Sequence, residues 1–228
     1  MSLFAIADLH LSLSVDKPMD IFGGWDGHVE KLAENWNKTV SEDDVVVIPG
    51  DISWGMNLDE AKADFSFINA LNGQKIISKG NHDYWWSTLS KLNKFVEKNG
   101  FDTINFLHNN HYSYGKYGIC GTRGWINETE VPADAKVLAR EAQRLEVSIK
   151  SATKENLEPI VFLHYPPVYG NESNYDILDV MFRYGVKECY YGHLHGRSHK
   201  NAVCGERDGI NFHLVSCDFV HFCPELVV

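Results

Sequence analysis

The chain has 228 residues, a formal net charge of −10, 44% hydrophobic residues and twelve Phe, the composition of a globular protein with a sizeable core. The acidic balance argues against a protein that holds long nucleic acid by phosphate neutralisation, although bound cations would reverse the field at a small site. No apolar run nears the ~20 residues that span a bilayer, the N-terminal run lacks a basic flank, and five cysteines without a close pair fit reduced thiols in a cytoplasm.

Leu3–Ala7 is a continuous apolar run of strand length, as a central strand covered on both faces requires, and it ends in Asp8-Leu9-His10. An extended backbone would turn Asp8 and His10 to the same side. Residues 11–25 form a long loop with Pro18, Gly23, Gly24 and Trp25, of the kind that shapes access to a site. A helix is expected from Asp26 as N-cap, with Val29, Leu32, Ala33, Trp36 and Val40 at helical spacing and His28 at the surface. Val45–Ile48 is a second strand closed by Pro49-Gly50-Asp51. Asn57 and Glu60 resemble a capping box ahead of a helix with Leu58, Ala61, Phe65, Ile68 and Leu71 on its buried face.

Lys75–Lys79 is a third strand, which stops at Gly80-Asn81-His82-Asp83 before a helix carrying Leu89, Leu92, Phe95 and Val96 and ending at Asn99-Gly100. His111–Cys120 alternates as an antiparallel hairpin around Gly115, and Gly121–Trp125 follows as a loop. A long helix begins near Pro132, with Val137, Leu138, Leu145 and Ile149 as its apolar stripe and its charges assigned to a solvated face. Ile160–Leu163 is a strand ending in His164, residues 177–182 mark a short helix, and Glu188–Tyr191 is a strand ending in Gly192-His193-Leu194-His195. Residues 202–222 read as strands around Gly209; no linker or repeat divides the chain, so one domain over residues 1–228 is expected.

Five strands thus end in groups able to bind metal or move protons: Asp8 and His10, Asp51, Asn81 and His82, His164, and His193 with His195. In open α/β sheets ligands collect beyond the carboxyl ends of strands. Taken together and in this order, Asp-x-His, Gly-Asp, Gly-Asn-His-Asp, a lone His and Gly-His-x-His resemble the calcineurin-like metallophosphoesterase superfamily, in the manner of a bacterial-type phosphohydrolase, across Asp8–His195. The resemblance implies an α/β fold, a four-layer sandwich of two mixed β-sheets flanked by helices, with a dimetal site at the strand C-terminal ends. It implies one metal held by Asp8, His10, Asp51 and His195 and another by Asp51, Asn81, His164 and His193.

The chemistry agrees with that implication. Asp51 has two carboxylate oxygens to bridge ions ~3.5–4 Å apart, and a water bridging such ions becomes a nucleophile near neutral pH. His82 is expected as general acid to the leaving alkoxide, with Asp83 holding its ring. Donors of nitrogen and oxygen without thiolate suit Mn, Fe or Zn. Arg123, in a glycine-flanked loop, is a candidate for holding substrate phosphate, and Arg197 a weaker one. Trp54, Tyr84, Trp85, Trp86, Trp125, Tyr165 and Tyr169 would either stack on a nucleobase or sugar or cover a core edge. His108, His111, His199, His213 and His221 are assigned structural or exposed positions.

The expected activity is dimetal-dependent hydrolysis of a small phosphomonoester or phosphodiester in the cytoplasm, without long nucleic acid or membrane as partner. The alternatives are a cyclic-nucleotide phosphodiesterase or nuclease on the same fold, and a metal-binding scaffold for protein interaction. Neither the 11–25 loop nor the 101–131 insertion carries a motif that names the substrate.

Overall fold

Alternating apolar residues along the strands sort the chain into layers, because neighbouring residues of a strand face opposite sides of its sheet. The computed structural model describes residues 1–125 and 132–228; the end of the 101–131 insertion lies outside them. In chain order the elements are β1 (Leu3–Ala5), α1 (His28–Thr39), β2 (Val45–Pro49), α2 (Lys62–Ala70), β3 (Gln74–Ser78), α3 (Leu89–Asn99), β4 (Ile104–Phe106), β5 (Tyr112–Tyr114), β6 (Tyr117–Thr122) and α4 (Pro132–Thr153). They continue with β7 (Glu158–Leu163), the short pair β8 (Val168–Tyr169) and β9 (Glu172–Ser173), α5 (Tyr175–Arg183), β10 (Glu188–Tyr191), β11 (Gly205–Arg207), β12 (Ile210–Leu214) and β13 (Glu225–Leu226).

One sheet runs β13-β1-β2-β3-β4 and the other β11-β12-β10-β7-β6-β5. In each the inner strands are parallel, while β13, β11 and β5 are antiparallel edges. Leu3, Ala5, Val47 and Ile76 meet Ile119, Ile160, Phe162 and Tyr190 in the core between the sheets. Phe4, Val46, Ile48 and Ile77 point the other way, onto Leu32, Trp36, Phe65 and Leu92 of α1, α2 and α3. Cys120, Val161, Leu163 and Cys189 pack on Leu138, Leu145, Ile149 and Met181 of α4 and α5. The result is the expected four-layer α/β sandwich. Among the described residues no helix is long and apolar enough to cross a membrane.

Several local expectations need correction. β1 stops at Ala5, not Ala7. α1 starts at His28 behind a left-handed Gly27 with no side-chain cap, so Asp26 is not its N-cap. His28 is buried, not at the surface, with its ring against Trp25 and Phe222. The Asn57–Glu60 box does form, Asn57 Oδ1 accepting from Glu60 N at 3.0 Å and Glu60 Oε2 from Met56 N at 2.9 Å. It closes a turn, however, and regular helix begins only at Lys62. β4 had no signature in the sequence, and residues 217–222 are turns, not strand.

Lys75 on β3 is wholly buried, its Nζ donating to the carbonyls of Leu71 and Gly73 at 2.5 and 2.7 Å. Burial lowers its ammonium from 10.5 to about 8. Between those values the unfolded chain holds a proton that the folded chain lacks, so stability rises with pH across that window. Lys75→Met is expected to flatten this rise, read as urea midpoints of both proteins at about pH 7.5, 9 and 10.5; parallel curves for the two proteins would disprove it.

Candidate metal centre

Every candidate ligand stands just beyond the carboxyl end of a strand. Asp8 and His10 follow β1, Asp51 follows β2, Asn81 follows β3, His164 follows β7, and His193 and His195 follow β10. An extended backbone is not what aims Asp8 and His10. Asp8 (φ 61°), His10 (46°), Asp51 (52°) and His193 (72°) all adopt left-handed backbone, which costs a non-glycine residue about 1–3 kcal/mol and persists where the surroundings impose it. The chain also passes itself closely: a Cβ on Gly80 would lie 2.1 Å from Asp51 Oδ1, and one on Gly50 (φ 91°) would lie 2.6 Å from the Gly80 Cα. Only glycine fits at either crossing.

Two groups of donor atoms result. Asp8, His10 and His195 form one, and Asp51, His164 and His193 the other, with the atoms of each group within 4.8 Å of one another. His10 Nε2 lies 3.3 Å from His195 Nε2, and His193 Nδ1 lies 3.2 Å from His164 Nε2. Asp51 Oδ2 sits between the groups, 3.8 Å from His10 Nε2 and 3.6 Å from His164 Nε2. Asn81 Oδ1 approaches His164 Nε2 to 2.6 Å, which adds the amide oxygen to the second group. The far sides of the rings are held as ligand imidazoles are held. His164 Nδ1 faces the Pro49 carbonyl at 3.2 Å, and His195 Nδ1 faces Asp218 Oδ1 at 2.9 Å.

Electrostatics prepare this cluster for cations. Burial drives the imidazoles of His10, His164 and His193 down to about 3, so all three are neutral donors at physiological pH. Burial, aided by the Asp51 charge, raises the Asp8 carboxyl to about 7. Asp8 Oδ2 accepts from His193 N at 2.9 Å, while its buried Oδ1 makes no hydrogen bond. Burial also opposes charge on His195, but its bond to Asp218 and the charges of Asp8, Asp218 and Asp51 overcome that and raise it. A buried carboxylate oxygen without a donor, beside neutral imidazoles crowded nitrogen to nitrogen, fits two metal ions. The donor atoms are nitrogen and oxygen, without thiolate.

The His82–Asp83 pairing is corrected. The Asp83 carboxylate is fully buried and accepts from the main-chain N–H of Asp51 (2.9 Å), Ile52 (2.8 Å), Ser53 (3.4 Å) and Gly80 (2.7 Å) and from Trp85 Nε1 (3.1 Å). It therefore pins two loops together and does not orient the His82 ring, whose buried Nδ1 makes no hydrogen bond. His82 lies instead against Trp54 at 4.5 Å and near His10 at 5.8 Å, while its main-chain N–H donates to Asp51 Oδ1 at 2.8 Å.

Among the aromatics, Trp85 is core, Trp54 stacks on His10 at 5.1 Å, and Tyr84 is exposed. Trp25, singled out in the sequence only as part of the 11–25 loop, packs edge-on against His10 and His195, so the end of that loop walls the centre. Asp218 was missed altogether, since it stands in a tail without motif; only its position after a strand end was available as a signal. Arg123 caps β6 beside the site, its carbonyl accepting from His164 N at 3.2 Å and Tyr165 N at 2.9 Å and its guanidinium lying 4.6 Å over the Trp125 ring. Arg197 lies on an exposed turn of 3₁₀ helix, Gly196–Asn201.

The family model described as calcineurin-like phosphoesterase matches residues 1–197. An uncharacterized protein of Methanocaldococcus jannaschii, MJ1445, is 31% identical over 95 residues, which are 42% of this chain and 48% of that one, so the match spans about half the length of that relative. Among solved structures, a protein of unknown function from Aquifex aeolicus, AQ665, superposes with a TM-score of 0.51 at 16% identity, covering 99% of this chain and 95% of its own. TT1561 of Thermus thermophilus does so with a TM-score of 0.59 at 10% identity, covering 99% and 97%. At such identities the two structures speak for the fold alone.

Two outcomes are expected. Binding of Mn²⁺ must displace the Asp8 proton and, where His195 is charged, the proton on its Nε2, so affinity should fall at least about tenfold per pH unit below pH 7, with no further step from the imidazoles held near 3. Calorimetry in two buffers of different ionisation heat would count the released protons, and a flat affinity down to about pH 5.5 would refute the assignment. Asp83→Ala should cost at least about 3 kcal/mol in urea unfolding, since it strands several buried N–H groups at once; unchanged stability would return Asp83 to an orienting role.

Proposed function

The chain belongs to the calcineurin-like phosphoesterase family, and from that premise we propose that it hydrolyses a small phosphomonoester or phosphodiester at a centre for two metal ions. Membership implies a hydrolase acting on phosphoesters. The observation that supports the two-ion reading best is Asp51 Oδ2, which lies within 3.8 Å of His10 Nε2 in one donor group and 3.6 Å of His164 Nε2 in the other.

Asp8, His10, Asp51 and His195 would hold one ion, and Asp51, Asn81, His164 and His193 the other. Bound there, the two ions supply positive charge for the phosphate and an activated water. Asp51 keeps the two halves of the centre in register through its shared carboxylate. Its left-handed backbone is held by the loop that Asp83 closes. Asp218 holds the His195 ring by its Nδ1, leaving Nε2 to face the centre. The carbonyl of Pro49 does the same for His164. His82, half-buried over Trp54 and clear of any carboxylate bond, donates a proton to the leaving alkoxide as the P–O bond breaks. All five cysteines are unpaired in the structure, which supports work in a reducing compartment such as the cytoplasm.

The reading is tested with metal-stripped protein reloaded with Mn²⁺ and offered p-nitrophenyl phosphate and bis-p-nitrophenyl phosphate. Metal-dependent turnover of at least one is expected, reduced at least about 10³-fold in Asp51→Asn. His82→Gln should lower kcat by about 10²–10⁴ for alkyl esters and much less for p-nitrophenyl esters, whose leaving group needs little protonation. Turnover indifferent to Asp51→Asn would place the chemistry elsewhere.

A further inference from the structure

Beside the metal centre lies a second concave site whose side chains have no part in holding metal. It is a cavity of ≈ 180 Å³ with Lys79, Arg123, Arg140 and Arg144 in its wall, together with Thr122 and Glu141. Four basic side chains meet a single carboxylate in a protein whose net charge is −10. The charges of α4 are expected on a solvated face, and Arg140 and Arg144 do stay exposed or part-exposed, but Glu141 between them turns inward. Glu141 is fully buried, accepting from Arg144 Nη1 at 2.7 Å and from Thr122 Oγ1 at 2.6 Å.

One carboxylate cannot neutralise the cluster. Glu141 is committed to Arg144 and Thr122, and Arg140 reaches it only at 3.8 Å. Lys79 and Arg123 make no ion pair among the described residues, and the buried Nε–H of Arg123 makes no hydrogen bond. Like charges gathered around one concavity repel even where Arg140 and Arg144 are part-exposed, and the missing component is an anion with several acceptor oxygens. Guanidinium forks suit phosphate in particular.

The cavity is tied to the centre by chain geometry. Lys79 precedes Asn81 by two residues at the exit of β3. Arg123 leaves β6 beside His164, to which its carbonyl is bonded, and its positive charge is felt at the His164 ring. A molecule with its scissile ester at the metal centre would therefore have this pocket as its neighbour.

We propose that the cavity is a phosphate subsite and that the physiological substrate is a phosphoester carrying a second phosphate group, seated on Lys79, Arg123, Arg140 and Arg144. This rests on the phosphoesterase reading. Free inorganic phosphate offers the same chemistry, so the experiment must separate the two sources.

Mn²⁺-loaded enzyme is assayed for phosphate release from a sugar monophosphate and the matching sugar bisphosphate, as native chain, as Arg140→Gln/Arg144→Gln and as Lys79→Gln. The native chain should favour the bisphosphate at least tenfold in kcat/KM, and each variant should lose most of that preference. In parallel, pyrophosphate is titrated calorimetrically into the metal-stripped full chain. Native chain and Asp51→Asn should bind alike, and the arginine double variant at least tenfold more weakly. Lys79→Gln leaves the Glu141–Arg144 pair intact, so the test survives if the double variant fails to fold. A bisphosphate preference absent from the native chain or untouched by both variants overturns the proposal. So does inorganic phosphate that binds the cavity and inhibits both sugar phosphates equally, which would make free phosphate the ligand. Should the native chain hydrolyse neither ester, the substrate assignment falls, while turnover of bis-p-nitrophenyl phosphate decides the hydrolase reading separately; pyrophosphate binding lost only in the cavity variants would then still show an anion site.

Discussion

A buried carboxylate that accepts five N–H groups holds the centre together. Asp83 draws the loop after β2, through Asp51, Ile52 and Ser53, onto the loop after β3, through Gly80. Each bond alone is an ordinary charge-assisted contact, but they share two oxygens, and none can be lost without exposing the rest to an unsatisfied charge. What this clamp fixes is the meeting of two strand exits. Asp51 is thereby kept in left-handed backbone and Gly80 in contact with it, and Asn81 and His82 emerge at the positions from which they face the centre. Of the metal ligands, Asp51 and Asp8 each add a single bond of this kind, Asp51 Oδ1 accepting from His82 N and Asp8 Oδ2 from His193 N.

The centre is accordingly a place where local preference is overruled. Four of the seven candidate ligands hold backbone angles that their residue types rarely adopt. Three imidazoles are buried deeply enough to lose their charge, and a carboxylate is buried deeply enough to keep its proton near neutrality. Such conflicts between local rule and global fold concentrate at functional sites, because the surrounding layers are stable enough to impose them. Here those layers are two parallel-cored sheets whose ligand-bearing strands, all parallel within their sheets, exit at the centre.

The same contrast decides what was legible in the sequence. Apolar runs of four or five residues ending in Asp, Asn or His expose both the strands and the ligands, because a strand must stop before polar groups can gather. Order along the chain then identified the set. Partnerships between side chains were not legible. Asp83 follows His82, yet the turn after Gly80 sends the two side chains to different places. Asp8 and His10 do converge, but through left-handed backbone instead of an extended one. Glu141 and Arg144 have the spacing of a surface ion pair, yet the carboxylate partner is fully buried, because Thr122 meets it from the adjacent sheet. Asp218 and Trp25 lie far from any motif and become visible only when β10 and the 11–25 loop are packed beside each other.

Charge placement links the two concave sites. At the metal centre acidic and neutral donors converge and await cations, whereas a few residues along the same strand ends basic side chains converge and await an anion. Neither cluster is self-sufficient, and their deficits have opposite sign. A single phosphoester with a second phosphate would satisfy both, one phosphate meeting charge brought by metals and the other meeting charge built into the chain. That division would also explain how so acidic a protein could recognise an anionic substrate. The attraction need not come from the surface as a whole, because Coulomb forces between buried groups are screened far less than those across solvent. Specificity would then reside in β6, α4 and the exit of β3, while the chemistry resides in the strand ends around Asp51.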